Sequence, residues 1–246
     1  MQIRSQSQDP RVQIQPGFTW DAQDAYLFDI DGTLLRSLDR IHFNSFSSSI
    51  EQVTGWNVPL AGVSIHGSTD TRILLDACQQ AGLTAAQIEP HFEAILEAMR
   101  QHVAARREEL DLLLMPNVKD VLEHLGKRGA RLGVATGNLE RIGWIKIEEA
   151  GLRDYFHFGG FSDRFPVRSE MIGHAAELAR QLAGPQASVC VVGDTPRDIQ
   201  AAHANSLPVI AVATGHYGFE ALLEHGPEVC TSSLGDLLDY TNEAGA

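Results

Sequence analysis

Long apolar runs are missing from this chain: no stretch approaches the ~18 apolar residues of a membrane-spanning helix. Cysteine is scarce as well. Cys78, Cys190 and Cys230 are odd in number and widely spaced, with no CxxC pair, which argues against a disulfide framework and against a thiolate metal site. They read as reduced, mostly buried thiols of a cytoplasmic protein. Basic residues are outnumbered, 19 Lys and Arg against 32 Asp and Glu, for a net charge of −13. That deficit argues against a nucleic-acid backbone or an anionic membrane as partner. It still admits a small phosphorylated metabolite, because a local metal ion can reverse the field inside one pocket. Residues 1–15 are rich in Gln and Ser and lack the apolar centre of a secretory signal. Residues 1–20 are therefore expected to form a flexible extension.

What is present is an alternation of short apolar runs with helical periodicity, the pattern of an α/β fold with a largely parallel sheet. Candidate strands are residues 25–29, 131–135, 155–158, 188–193 and 208–213, with a shorter one near 228–231. Candidate helices occupy 139–150, 170–182 and 196–204. Another places Val118, Val121, Leu122 and Leu125 on one face behind an Asn117 cap. Between Leu34 and Leu114 the alternation breaks, and the spacing predicts helix only, as in Ile88, Phe92, Ile95, Met99 and Val103. With 246 residues and 43% hydrophobic content, the chain can build a core (21–34 and 115–246) carrying an inserted helical module (35–114).

The chemistry gathers at strand ends. Asp29-Ile30-Asp31-Gly32-Thr33 follows the apolar run Ala25-Tyr26-Leu27-Phe28. Two carboxylates one residue apart repel each other, so such a tip calls for a cation or a proton. A Mg²⁺ site with a nucleophile inside it satisfies that demand. Thr136-Gly137-Asn138 closes a second strand, where a hydroxyl and backbone N–H groups can cradle an anion. Gly193-Asp194-Thr195-Pro196-Arg197-Asp198 closes a third. Strand ends of a parallel sheet share one crevice, so Asp29, Asp31, Thr136 and Asp194 are expected to converge. Asp198 lies in a capping-box-like helix start and is assigned a supporting role. Ser169 is a candidate cap for the helix after Arg168, and Ser68, Thr69 or Asp70 for the helix near Thr71. His42 reads as a helix-face histidine.

The ordered set Asp29-x-Asp31-Gly32-Thr33, Thr136, a basic residue and Gly193-Asp194-x-x-x-Asp198 resembles the haloacid dehalogenase superfamily of phosphohydrolases, in its phosphoglycolate-phosphatase-like branch. The resemblance implies a Rossmann-like three-layer core with a parallel sheet and an all-helical cap. It implies Asp29 as nucleophile, Asp31 as acid and then base, and Mg²⁺ held by Asp29, the Asp31 carbonyl and Asp194. Gly32, Thr136, Gly137, Asn138 and a basic side chain would bind the phosphate. Family members commonly carry Lys at the third motif. The segment Asp163-Arg164-Phe165-Pro166-Val167-Arg168 has none. Arg168 fits best there, ahead of Arg164 and of Lys146 on an earlier helix. A mutase of the β-phosphoglucomutase type shares all four motifs, and a non-catalytic binding protein could keep the same fold. Oligomeric state leaves no signature in the sequence.

Overall fold

The computed structural model describes residues 11–244. Strands β1 (Val12–Ile14), β2 (Ala25–Phe28), β5 (Arg131–Ala135), β6 (Phe158–Gly160), β7 (Val189–Gly193), β8 (Val209–Val212) and β9 (Val229–Thr231) form one sheet. Its order is β1-β9-β8-β7-β2-β5-β6, parallel throughout except for β1, which runs antiparallel to β9. Strand β2 is central and buried on both faces, which is why it reads as an unbroken apolar run.

Alternation along β2 divides the core. Tyr26 and Phe28 enter one cluster with α5 (Val118–Lys127) and α10 (Leu234–Ala244). Ala25 and Leu27 enter the other with α7 (Arg168–Ala183), α8 (Pro196–Ala204) and α9 (Phe219–Leu223). Each large apolar side chain so buried stabilises the fold by about 1.5–3 kcal/mol. The α/β expectation is met, and five strand positions agree with the sequence reading to within a residue.

The differences are local. The expected flexible extension gives way at Val12–Ile14, which pairs with β9; residues 1–10 lie outside the described residues. Strand β6 begins at Phe158 rather than at residue 155, because Arg153–Tyr155 winds into a 3₁₀ turn. Asn117 adopts a left-handed conformation and gives its side chain to Asp120 rather than capping α5. Ser169 does not cap α7, which begins one residue earlier at Arg168.

The inserted segment is not helical throughout. It leaves and re-enters the core through an antiparallel ribbon, β3 (Leu35–Ser37) against β4 (Leu112–Leu114). Between them lie α1 (Ile41–Thr54), α2 (Asp70–Gln80), α3 (Ala85–Ile88) and α4 (Phe92–Ala104). Gly55 stops α1 in the left-handed region, its N–H bonding the Glu51 carbonyl. Phe46, Ile50, Leu74, Ile95 and Met99 form the lid's own core. That cluster also takes in Leu139 just ahead of α6 (Glu140–Glu149), and Ile142 and Ile145 on it, so the lid packs against a helix of the sheet domain.

Candidate active site

Three adjacent strands, β7, β2 and β5, end at one rim and deliver Asp194, Asp29 and Thr136 to it. Asp29 continues the sheet by donating its N–H to the Val192 carbonyl at 2.9 Å. Its carboxylate is buried and meets the Arg168 guanidinium at 3.2 Å. Arg168 itself is 8% exposed. Its Nε and Nη2 reach Asp198 Oδ1 at 2.9 and 2.5 Å, and Nη1 donates to the Gly67 carbonyl of the lid at 3.3 Å. The basic side chain expected at the third motif thus lies against Asp29. Arg164 is not among the residues lining the cleft.

Asp29, Asp194 and Asp198 each offer an oxygen within 4.8 Å of the others, all three buried. Three carboxylates face one guanidinium, so the pocket carries surplus negative charge. Burial raises the Asp29 carboxyl above its ordinary value; Arg168 opposes this, while Asp198 and Asp31 add to it. Burial likewise raises Asp194, with Asp29 and Asp198 adding repulsion. The space around Asp194 is built to admit that carboxylate. A Cβ on Gly32 or on Gly215 would collide with it from either side. Hard oxygen donors with excess negative charge fit Mg²⁺. Asp198 is less available: Oδ1 is taken by Arg168, while Oδ2 accepts from the Thr195 N–H and hydroxyl in a complete capping box. Asp198 is not among the residues lining the cleft.

Around Thr136 the predicted anion cradle is narrower than expected. The Asn138 N–H is taken by Thr136 Oγ1 at 3.3 Å, the Leu139 N–H by Asp70 Oδ2 at 2.8 Å, and the Glu140 N–H by Asp163 Oδ2 at 2.6 Å. Protein carboxylates already occupy the start of α6. The Gly137 N–H and the Thr136 hydroxyl proton remain available, with no partner among the described residues.

Asp31 stands at the same mouth, and two residues that the motifs assigned to the phosphate or weighed for the third motif bind it instead. Lys146 Nζ reaches both Asp31 oxygens at 2.8 and 2.7 Å, and the Asn138 amide donates to Oδ2 at 2.9 Å. His42 Nδ1 meets the same ammonium at 3.1 Å. Burial would raise the Asp31 carboxyl, yet the Lys146 ammonium, with hydrogen bonds from Lys146 and Asn138, brings it below the ordinary carboxylate range. Joined to that ammonium, His42 is more than a helix-face residue. The sequence held one signal for Lys146: it is the charged member of the otherwise apolar set Ile142, Ile145 and Ile147.

The lid closes the cleft from above. Its loop 65–70 lies on the Thr136 turn, with the Asp70 N–H bonding the Gly137 carbonyl at 2.7 Å. Thr69 caps α2 through the Arg72 N–H, as one of the three candidates for that role. His66 of the lid stacks on His216 of the core, centroids 4.2 Å apart and planes 4° from parallel. The cleft beneath it measures about 520 Å³ and is open to solvent on one side. Phe43, Phe46, Ile65 and Ile73, all from the inserted module, add apolar surface to its lining.

Residues 23–205 match the family model of haloacid dehalogenase-like hydrolase. A phosphoglycolate phosphatase of Mesorhizobium japonicum is 26% identical over 194 residues, covering 77% of this chain and 82% of the relative. One from Synechococcus elongatus is also 26% identical, over 220 residues, 89% of this chain and 97% of the relative. The crystal structure of a hydrolase from Pseudomonas syringae superposes with a TM-score of 0.63 at 20% identity, covering 90% of this chain and 99% of that one, a likeness of fold.

Proposed function

Because the chain belongs to the haloacid dehalogenase-like hydrolases, we propose that it is a Mg²⁺-dependent phosphatase of small organic phosphate monoesters that works through an aspartyl-phosphate on Asp29. The observation that carries this reading is the buried group Asp29, Asp194 and Asp198 at the mouth of the central strands, with Arg168 beside the first. Relatives named phosphoglycolate phosphatases support the reaction class. Asp31 adds to it, since a carbon–halogen bond leaves without needing a proton and a phosphate ester's alcohol does not.

In this reading Asp29 attacks phosphorus, and its P–O bond forms as the ester's alcohol departs. Asp31 gives that oxygen a proton and then accepts one from the hydrolytic water. Arg168, the Thr136 hydroxyl and the Gly137 N–H donate to phosphate oxygens, whose charge shifts in the transition state. Bound by Asp29, Asp194 and the Asp31 carbonyl, Mg²⁺ would screen the attacking carboxylate from the phosphate. The lid excludes bulk water while Asp29 is esterified. Three buried free cysteines support the expected cytoplasmic setting. Among the described residues no helix is long and apolar enough to cross a membrane.

The test is turnover of p-nitrophenyl phosphate with Mg²⁺. Asp29→Asn keeps the side chain's size and removes the nucleophile, so activity should fall to background with an unchanged circular dichroism spectrum. Residual activity near the parent level refutes the assignment. Incubation with a hexose 1-phosphate distinguishes phosphate release from isomerisation, the outcome a mutase would give.

A further inference from the structure

A buried ammonium must satisfy its protons or be expelled. Lys146 is 2% exposed, and its three protons face four acceptors: both Asp31 oxygens, the Asn138 carbonyl oxygen at 2.9 Å and His42 Nδ1. An ammonium can only donate, so Nδ1 is the accepting nitrogen and His42 carries its proton on Nε2. That proton goes to Asp70 Oδ2 at 3.0 Å, the oxygen that also takes the Leu139 N–H. Asn138 closes the circuit, its amide nitrogen bonding both Asp31 Oδ2 and Thr136 Oγ1.

The two ends of this chain of bonds differ in exposure. The Asp31 side chain is 41% exposed toward the cleft, whereas its ammonium partner is sealed. The lid supplies His42 and Asp70, while the core supplies Lys146, Asn138 and Asp31. A carboxylate that must meet a water molecule at a fixed angle needs a fixed orientation, and Asp31 has its orientation imposed from behind. A pair kept only for stability would not need both oxygens held and an outlet to the lid.

We propose that Lys146, steadied from the lid by His42, is the positioning residue that holds the Asp31 carboxylate as proton acceptor for the hydrolytic water. In that step the water oxygen bonds to phosphorus and its proton passes to Asp31. The bond from phosphorus to Asp29 breaks, and Asp29 leaves as a carboxylate. Lys146 keeps its three protons throughout. The inference rests on the reading of Asp31 as acid and base given above.

The experiment is a rapid-mixing assay with 2,4-dinitrophenyl phosphate and Mg²⁺. This leaving group needs no proton, so the first half-reaction does not depend on Asp31. Lys146→Met should keep a burst near one product per site while the steady rate falls roughly 10–100-fold, within the range of acid–base catalysis. His42→Leu, at the lid rather than in the core, should show the same pattern at roughly 3–10-fold. Asp31→Asn must show it most strongly. If it does not, the reading of Asp31 fails, independently of Lys146. If Asp31→Asn behaves as expected while Lys146→Met loses burst and steady rate in equal proportion, the positioning role is overturned. Should Lys146→Met not fold, Lys146→Ala assayed with and without ethylammonium decides the matter: a restored steady rate supports the role, and none overturns it. A parent-like steady rate in His42→Leu overturns the part assigned to the lid.

Discussion

Arg168 shows at the scale of one residue what a buried guanidinium holds together beside Asp29. Its planar fork bonds Asp198, touches Asp29 and reaches the lid carbonyl of Gly67 at once. A lysine is a single point donor and cannot span that set. Arg168→Lys should therefore fold and lose roughly 10–100-fold in kcat, measured on a generic phosphate ester. Arg168→Met leaves two buried carboxylates facing each other without a cation. It should cost about 3–5 kcal/mol in urea unfolding, the range for breaking a buried ion pair. Equal losses of stability in the two variants would contradict the argument.

The elements differ in how plainly the sequence announces them. Strands β2, β5, β7 and β8 were legible because burial on both faces leaves unbroken apolar runs. The site carboxylates were legible because they punctuate those runs. Strands β1, β3 and β4 are three residues each and lie outside the alternation of apolar runs with helices that marks the others. Lys146 and His42 were illegible as partners of Asp31, since the lysine lies 115 residues away and only folding joins them.

The loop between α1 and α2 carries a prediction at this scale. The His66 and His216 rings lie face to face, and burial together with His216 lowers the pKa of His66. A lowered folded pKa means the closed form binds fewer protons than the open one. The stacked contact is fully present above the ordinary histidine value near ~6.5 and is lost as pH falls from there through the lowered value of His66. KM for a phosphate ester should rise between pH 7.5 and 5.5 more steeply in the parent than in His66→Phe, which keeps a stacking ring and cannot be charged. Parallel profiles would disprove the link.

At the scale of the whole molecule, the cluster of buried carboxylates makes stability depend on a cation. Asp29 and Asp194 hold protons more tightly in the fold than in the unfolded chain. Without metal their contribution is greatest below the ordinary carboxylate range and is lost as pH rises through their raised values. A bound dication reverses this by keeping both ionised. Mg²⁺ at a hundred times its Kd should raise Tm by roughly 5–10 °C, from about 2.7 kcal/mol of binding linkage. The rise should be larger at pH 8 than at pH 6 and should shrink in Asp194→Asn. Scanning calorimetry with Mg²⁺ and with EDTA measures it, and a rise independent of pH would refute the charge argument.

Leu139, Ile142 and Ile145 give the inserted module an apolar seat on the core. They are counted within the lid's apolar interior although the helix they serve is anchored beside the sheet. Lifting the module clear would wet all three side chains together with their counterparts on α4, at about 25 cal/mol for every Å² uncovered. Keeping that stripe covered avoids the expense. That shared apolar contact favours an inserted module that keeps its seat on α6 over one that lifts away from it.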